Sequence, residues 1–498
     1  MKPSTCTIVV LLALSTFSSV SCGPWGMHTE QQKPNILFIL TDDQAPSTIR
    51  KMPTVQAELA SKGLSFENAF ITTPECCPSR ATILTGRYAH NHGIFSNIES
   101  KGGGEQAFRE PGLGQDTIAT RLRSAGYTTG LFGKYLNGYT ERYVPPGWDE
   151  WFAYTLYGGP GSTFEVNVDG KLQTFDEDEV NQTDLTRDRV KQFVSAHAEE
   201  PWFAYVAPKD PHAPYEPPRR HAHDFDNVAL PEPPNFDTVD PSQPNSVSNL
   251  PPLSEDDQRW LRKVHPIIYE RMLKQYRRKL HREGDKFSST TNDARNFLRE
   301  EYEGQLEELQ TVDDLVGELV AALKETGQLE RTYIVYMSDN GYLLGEHRLE
   351  GKLQPYEESI GTPLLVRGPE VPAEQSRGQL VANLDIAQTF ADLAGASFPT
   401  KADGRSLAPL LTENPPQQWR DALLLEYSSW SGVRTKRYAY FEYESGKREL
   451  YDLQEDPYEL KNIYKKVDPA LLSDLRARLE ELKDCSGQRC RTAEDREP

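Results

Sequence analysis

A chain of 498 residues with 37% hydrophobic and 10% aromatic residues can bury a large core, which excludes global disorder. One large α/β domain with a smaller appendage fits that length as well as two to four domains do. A formal net charge of -20 excludes a general affinity for nucleic acid, so any anionic ligand must be met by cations gathered locally.

In chain order, residues 1–22 are predicted to be a signal peptide. Lys2 is a thin basic start, Thr7 to Leu14 is an apolar run, and the small residues around Ser18 to Ser21 suit cleavage. The run is too short to span a bilayer, which takes about 20 apolar residues. No later segment has that length, so no membrane partner is expected. Cys22 beside Gly23 admits a second reading as a lipid-attachment cysteine, for which Ser19 is a poor match to the leucine expected three residues earlier. Export past the secretory membrane leaves the extracellular space, the lysosome and the periplasm open.

Residues 35–40 form a continuous apolar run, predicted as a buried parallel strand that stops at Thr41-Asp42-Asp43. Helical periodicity follows over 55–61, then a turn at Gly63. Residues 117–124 read as a helix and 127–132 as a strand ending in Gly133-Lys134. A strand over 202–207 ends in Pro208-Lys209-Asp210-Pro211-His212. A long helix over 297–326, with Leu306, Leu309, Leu319 and Leu323 on its apolar stripe, leads into a strand over 333–337 that ends in Ser338-Asp339-Asn340-Gly341. A short strand follows over 364–367. Alternating strands and helices predict an α/β fold, a large central, mostly parallel mixed sheet with helices on both faces. Ligands of open α/β sheets bind beyond the carboxyl ends of the strands. Four of these strands end in Asp, Asn, Lys or His, and together those endings mark a site.

Residues 230–258 are rich in Pro, Asn, Ser and Asp and read as an irregular excursion. Past Arg405, short strands over 422–427, 434–442 and 448–453 and a helix over 469–483 predict a small C-terminal subdomain, antiparallel because its connections are short. The expected organisation is a leader (1–22), a large α/β domain (34–405) and this subdomain (406–498). Of the six cysteines, Cys6 and Cys22 belong to the leader or its end, and Cys485 and Cys490 can close a small loop in an oxidising compartment. Cys76 and Cys77 are adjacent, closer than ordinary disulfide geometry prefers. Asn181-Gln182-Thr183 is a glycosylation sequon.

The most specific text is Cys76-Cys77-Pro78-Ser79-Arg80, followed by Ala81-Thr82-Ile83-Leu84-Thr85-Gly86-Arg87. Pro78 suits the first residue of a helix running through Leu84. Cys76 then lies near a helix N-terminus, where free N–H groups favour negative charge, and Arg80 adds a cation one turn on. Such a place is expected to lower a thiol's pKa or to hold an oxyanion. Asp42-Asp43 and Asp339-Asn340 offer hard oxygen ligands at two strand ends, enough for Ca2+ or Mg2+ once other oxygens join. Read alone, each of these pairs is equally a turn or helix cap. The histidine pairs His90-Asn91-His92 and His221-Ala222-His223 lack the companions of familiar zinc spacings, and no zinc site is read from them.

These residues resemble the formylglycine-dependent sulfatases, whose signature C-x-P-S-R-x-x-x-x-T-G-R is met at every specified position. The resemblance implies that Cys76 is oxidised to formylglycine by a formylglycine-generating enzyme, the maturation partner. The aldehyde hydrates to a diol, one hydroxyl attacks sulfur, and the other expels sulfate from the covalent intermediate. It also implies that Asp42, Asp43, Asp339 and Asn340, with the modified Cys76, hold the metal, usually calcium. Lys134, Lys352 and Arg80 are expected to bind the sulfate, and His212 to bind it and protonate the leaving oxygen. Many sulfatases carry a histidine two residues after the first lysine, whereas here Leu136 and then Asn137 follow. Asn137, or His347 from Gly345-Glu346-His347, is the expected replacement.

The segments around Lys134 and Thr362-Pro363-Leu364-Leu365-Val366-Arg367-Gly368-Pro369, with the tail Cys485-Ser486-Gly487-Gln488-Arg489-Cys490-Arg491, are most similar to N-acetylglucosamine-6-sulfatases. That implies an exo-acting enzyme on 6-sulfated glucosamine or a related small sulfate ester or saccharide. The alternatives are an arylsulfatase of broad specificity, a phosphodiester or phosphonate hydrolase of the same alkaline phosphatase-like superfamily, and a binder with a dead site. Pro78-Ser79-Arg80 favours sulfate over phosphonate. Residues 259–282 carry many Lys and Arg, with Val264, Ile268, Met272, Tyr276 and Leu280 recurring every fourth position. They are either a solvated amphipathic helix or a docking strip for a sulfated polymer.

Overall fold

The apolar run after Pro34 forms β1 (Asn35–Thr41), every residue of it buried. Its side chains alternate between two cores, as a strand covered on both faces requires. Ile36, Phe38 and Leu40 pack with Ile118, Leu122 and Phe390, while Leu37 and Ile39 pack with Leu309, Val312 and Val316. The structure is a computed structural model that describes residues 33–140, 142–157, 163–253, 294–398 and 401–496. The expected leader (1–22) and the basic strip (259–282) lie outside the described residues.

Around β1 the chain builds β2 (Leu64–Phe70), β3 (Thr128–Gly133), β4 (Glu150–Leu156), β5 (Thr163–Val168) and β6 (Lys171–Asp176). Then come β7 (Trp202–Ala207), β8 (Thr332–Ser338), the two-residue β9 (Leu343–Leu344) and β10 (Glu350–Gly351), β11 (Leu364–Arg367) and β12 (Gln375–Ala382). Ten of these make one sheet in the order β12-β2-β11-β8-β1-β7-β3-β4-β5-β6. The stretch β8-β1-β7-β3-β4 is parallel throughout. β11 runs antiparallel to both neighbours, and β5 and β6 extend the far edge as an antiparallel hairpin. The sheet is therefore large, mixed and mostly parallel, as expected.

The long helix Ala294–Glu325 lies on one face and buries Leu298, Leu306, Leu309, Leu315, Leu319 and Leu323. The segment expected to be helical over 55–61 is helical, an α-helical turn, Pro53–Val55, running into a π-helical one, Gln56–Ala60. The Asp313 carboxylate accepts the N–H groups of Thr54 and Val55, both at 2.8 Å, and so anchors that turn on the long helix. A second helix on this face, Gln182–Ala196, begins at Asn181, whose side chain accepts from the N–H of Asp184.

The C-terminal part is an antiparallel sheet of β13 (Ala422–Tyr427), β14 (Trp430–Thr435), β15 (Tyr438–Tyr443) and β16 (Arg448–Asp452), in sequence order. The single strand expected over 434–442 is two strands joined at Lys436-Arg437, where Arg437 donates to Asp452 at the end of β16. The helix Pro469–Lys483 buries Leu475, Leu479 and Leu482 in the core it shares with this sheet, each contributing about 1.5–3 kcal/mol. Cys485 and Cys490 form a disulfide. Among the described residues no helix is long and apolar enough to cross a membrane.

Candidate active site

Because β8, β1, β7 and β3 are adjacent and parallel, their carboxyl ends fall on one edge of the sheet. Asp42-Asp43, Lys134, His212 and Asp339-Asn340 follow those four ends directly or within a short loop. Two backbone features hold the edge together. Gly133 has φ 114°, and a Cβ there would meet the Ala207 carbonyl at 1.9 Å, so only glycine lets Lys134 N donate to that carbonyl at 2.7 Å. Asp43 has φ 64°, a conformation Asp tolerates better than most residues, and its N–H donates to Asp339 Oδ1 at 3.2 Å.

Cys76 reaches the same place from a fully buried helix, Cys76–Thr85. The helix begins at Cys76 itself, so Pro78 sits inside the first turn, where its missing N–H costs nothing. Asn97 Oδ1 accepts from Cys77 N at 2.7 Å, and Glu75 Oε1 accepts from Asn97 N at 3.1 Å. The Cys76 Sγ accepts from Lys352 Nζ at 2.9 Å and lies 3.4 Å from Asp42 Oδ1 and 3.7 Å from Asp43 Oδ1. Lys134 pairs with Asp42, and Lys352 pairs with Asp43. Arg80 donates from Nε to Asp339 Oδ2 at 2.7 Å and from Nη1 to the Lys134 carbonyl at 2.9 Å. His212 Nε2 lies 3.5 Å from Asp43 Oδ2, and its Nδ1 lies 2.6 Å from the Ala213 carbonyl. A carbonyl only accepts, so Nδ1 carries the proton in the neutral ring.

Burial works against every charge here, and the neighbours decide which survives. Burial raises the Asp42 carboxyl, but Lys134, His212, Arg80 and Lys352 outweigh it and hold the group well below the carboxylate range. Asp43 is lowered in the same way, against burial, chiefly by Lys352 and His212. Asp339 goes up, because burial and the charge of Asp42 together exceed the help from Arg80. Burial lowers His212 despite Asp43. The Cys76 thiol corrects the sequence reading. The helix start was expected to lower its pKa, yet burial pushes it well above the usual value, and Lys134 and Lys352 oppose this without prevailing.

Three carboxylates (Asp42, Asp43, Asp339) face three fixed cations (Arg80, Lys134, Lys352), so the pocket is formally neutral before any ligand enters. Asn340, fully buried, donates from Nδ2 to Asp43 Oδ1 at 2.8 Å while its Oδ1 has no hydrogen-bond partner. An orphaned amide oxygen beside converging carboxylates is the donor set a hard divalent cation takes, so these residues fit calcium or magnesium. Ligand atoms of Asp42, Asp43, Cys76 and His212 also lie within 4.8 Å of one another.

Two candidates make no hydrogen bond to this group among the described residues. The Asn137 carbonyl accepts from Glu105 N at 2.7 Å, its N–H serves Cys77 rather than Cys76, and its Oδ1 has no partner. His347 stacks on Tyr356 at 4.1 Å, with Asn235 and Gln243 against its ring nitrogens, in a separate buried cluster. One residue at the edge went unread. Tyr157 follows β4, the next parallel strand; the residue is 38% exposed, yet loss of solvent around its hydroxyl pushes it up to about 12 against the opposing pull of Lys134, with Asp42 adding to the rise. The same strand-end rule would have found it had β4 been predicted.

A family model described as Sulfatase matches residues 34–396, and one described as N-sulphoglucosamine sulphohydrolase, C-terminal, matches residues 345–485. The N-acetylglucosamine-6-sulfatase of Homo sapiens is 30% identical over 526 residues, covering 94% of this chain and 88% of that protein. The N-acetylglucosamine-6-O-sulfatase of Bacteroides thetaiotaomicron is 28% identical, covering 94% and 88% respectively. A solved structure in complex with its substrate D-glucosamine-2-N,6-O-disulfate superposes with a TM-score of 0.73 at 25% identity, covering 94% of this chain and 100% of the other. The first match takes in every strand from β1 to β12, hence the whole edge on which Cys76, the carboxylates and the lysines meet; the chain belongs to the sulfatase family and is a sulfuric ester hydrolase.

Proposed function

We propose that the chain hydrolyses sulfate esters of sugars, foremost 6-sulfated glucosamine, with a nucleophile made by oxidising Cys76 to formylglycine. The observation that carries this reading is the setting of Cys76, whose sulfur lies between Lys352 and the carboxylates of Asp42 and Asp43. Burial keeps that thiol protonated, and a protonated thiol is a poor nucleophile. The position has what a nucleophile needs, while the native side chain does not. One hydroxyl of the hydrated aldehyde attacks sulfur and displaces the sugar oxygen, and the other then loses its proton and re-forms the aldehyde, breaking the C–O bond to the sulfate and expelling it. Cys76 is 0% exposed, so the formylglycine-generating enzyme must act before the helix Cys76–Thr85 is buried. The leader expected at 1–22 places that step in the secretory route.

Asp42, Asp43, Asp339 and Asn340 would hold calcium, or magnesium in its place, and the ion supplies Lewis-acid polarisation of the sulfate. Lys134, Lys352 and Arg80 balance the charge of the ester and of the sulfate released. His212 holds its Nδ1 proton on the Ala213 carbonyl and turns Nε2 toward Asp43, so it would pass a proton to the leaving oxygen from Nε2 after taking one up there as the imidazolium. The glucosamine preference is supported by the names of the relatives. Rates on 6-sulfated N-acetylglucosamine, an aryl sulfate and an aryl phosphonate test it side by side. The highest kcat/KM is expected on the sulfated sugar, and a preference for phosphonate would overturn the reading.

A further inference from the structure

Apart from the group around Cys76, three further side chains meet around a second point, two of them buried and Glu358 half-buried. His347 comes from the β9–β10 hairpin, Glu358 from the turn Glu357–Ile360 before β11, and Glu459 from the segment after β16. One ligand atom from each lies within 4.8 Å of the other two. His347 and Glu459 are each 1% exposed. Glu459 Oε2 accepts from Glu357 N at 3.1 Å, and Glu358 Oε1 accepts from Asn235 Nδ2 at 2.8 Å. The other oxygen of each carboxylate, Glu459 Oε1 and Glu358 Oε2, has no hydrogen-bond partner. Arg434, the cation beside them, is committed to Glu357 at 2.7 Å. Two carboxyls with orphaned oxygens, Glu459 buried and Glu358 half-buried, thus meet with no lysine or arginine bonded to them among the described residues; both are raised first by burial, and a divalent ion would take the place of their protons.

We propose that His347, Glu358 and Glu459 form a second cation site, for a divalent first-row transition ion, separate from the site on Asp42, Asp43, Asp339 and Asn340. Two carboxylates neutralise a divalent ion, and the imidazole supplies the nitrogen that marks the class. Calcium and magnesium take oxygen ligands in larger number, whereas zinc takes His nitrogen and Glu oxygen with about four ligands in all. The imidazole meets the requirement that a ligating histidine be unprotonated, since burial pushes it down to about 3. Asn235 donates to Glu358 Oε1 and would orient that ligand from outside, while the amide now against whichever nitrogen of His347 binds the ion, Asn235 at Nε2 or Gln243 at Nδ1, would have to turn aside.

The three ligands bracket an active-site residue. Lys352 lies in sequence between His347 and Glu358, on the loop the ion would fasten to the chain beyond β16. Filling the site is therefore expected to stiffen the loop that presents Lys352 to Cys76, and to raise the unfolding temperature. The test uses the full chain, stripped with a chelator, returned to excess calcium and then titrated with Zn2+. Metal content per chain and thermal unfolding are measured for the wild type, for Glu459→Gln and for His347→Gln. The proposal expects one Zn2+ retained per wild-type chain against excess calcium, a higher unfolding temperature, and loss of both effects in the two variants. No retained Zn2+, or equal retention in all three proteins, would overturn it. Should the variants fail to fold, anomalous diffraction from a zinc-soaked wild-type crystal decides the matter. A peak among His347, Glu358 and Glu459 supports the site, and a peak confined to Asp42 and Asp43, or none, refutes it.

Discussion

The chemistry proposed at Cys76 would depend on two ammonium groups that are each spoken for. Lys134 is bound to Asp42 and Lys352 to Asp43, so removing either leaves a buried carboxylate without its partner and the incoming sulfate without a cation. Lys134→Ala is therefore expected to lower kcat by about 10²–10³-fold with the fold retained, read from steady-state rates and circular dichroism. A loss below tenfold would remove Lys134 from the reaction. These residues could be read from the sequence because each stands at the end of an apolar run or inside a motif that fixes its place. His347 could not, since closeness to Lys352 in sequence does not survive the β9–β10 hairpin, which buries the imidazole against Tyr356 instead. Nor could the state of the Cys76 thiol, because burial comes from strands and helices remote in sequence.

Strands that were legible are those with continuous apolar runs, such as β1, β7 and β8. The edge strands β5 and β6 were not, because half their residues face water; β6 reads Lys171-Leu172-Gln173-Thr174-Phe175-Asp176 with no residue fully buried. The hairpin at Lys436-Arg437 was missed because the turn contains neither Gly nor Pro. The element that carries Asn340 can be tested through the glycine after it. A Cβ on Gly341 would stand 2.1 Å from the Glu358 carbonyl oxygen and 2.6 Å from that of Gly361, both backbone atoms that cannot swing aside. Gly341→Ala is expected to displace Asn340 and raise the calcium concentration needed for half-maximal activity, measured by titrating calcium into chelator-treated enzyme. An unchanged calcium requirement would mean that Asn340 is not a ligand. On the other face, Leu315 is fully buried between the long helix and the sheet. Leu315→Ala is expected to cost about 2–5 kcal/mol in denaturant unfolding with little effect on KM.

Over the whole molecule, buried titratable groups set where in pH the fold is most stable. Glu301 is raised to about 8 and Glu449 to about 7, both first by burial. Such acids keep their protons in the folded chain above the pH at which the unfolded chain releases them. Stability therefore falls as pH rises from about 4.5 toward 7–8. His92, lowered to about 3 by burial, then by Arg87 and His90, acts in the opposite direction. The unfolded chain takes up that proton below about 6.5 and the folded chain does not, so stability also falls as pH drops from about 6.5 toward 3. The two slopes cross in mildly acid solution. Two raised acids outweigh one lowered imidazole above about pH 4.5, so thermal unfolding in excess calcium is expected to show its highest midpoint at about pH 4–5, and a maximum above pH 8 would contradict this account of the buried groups.

The central claim rests on one side chain, and mass spectrometry of the peptide carrying Cys76 and Cys77 tests it most directly. The protein should come from a host that converts a control sulfatase. The account predicts that Cys76 has exchanged its sulfur for an aldehyde oxygen. Cys77, buried and with its thiol pushed up to about 12, is predicted to remain a thiol. An intact thiol at Cys76 in an enzyme that still hydrolyses sulfate esters would contradict the account.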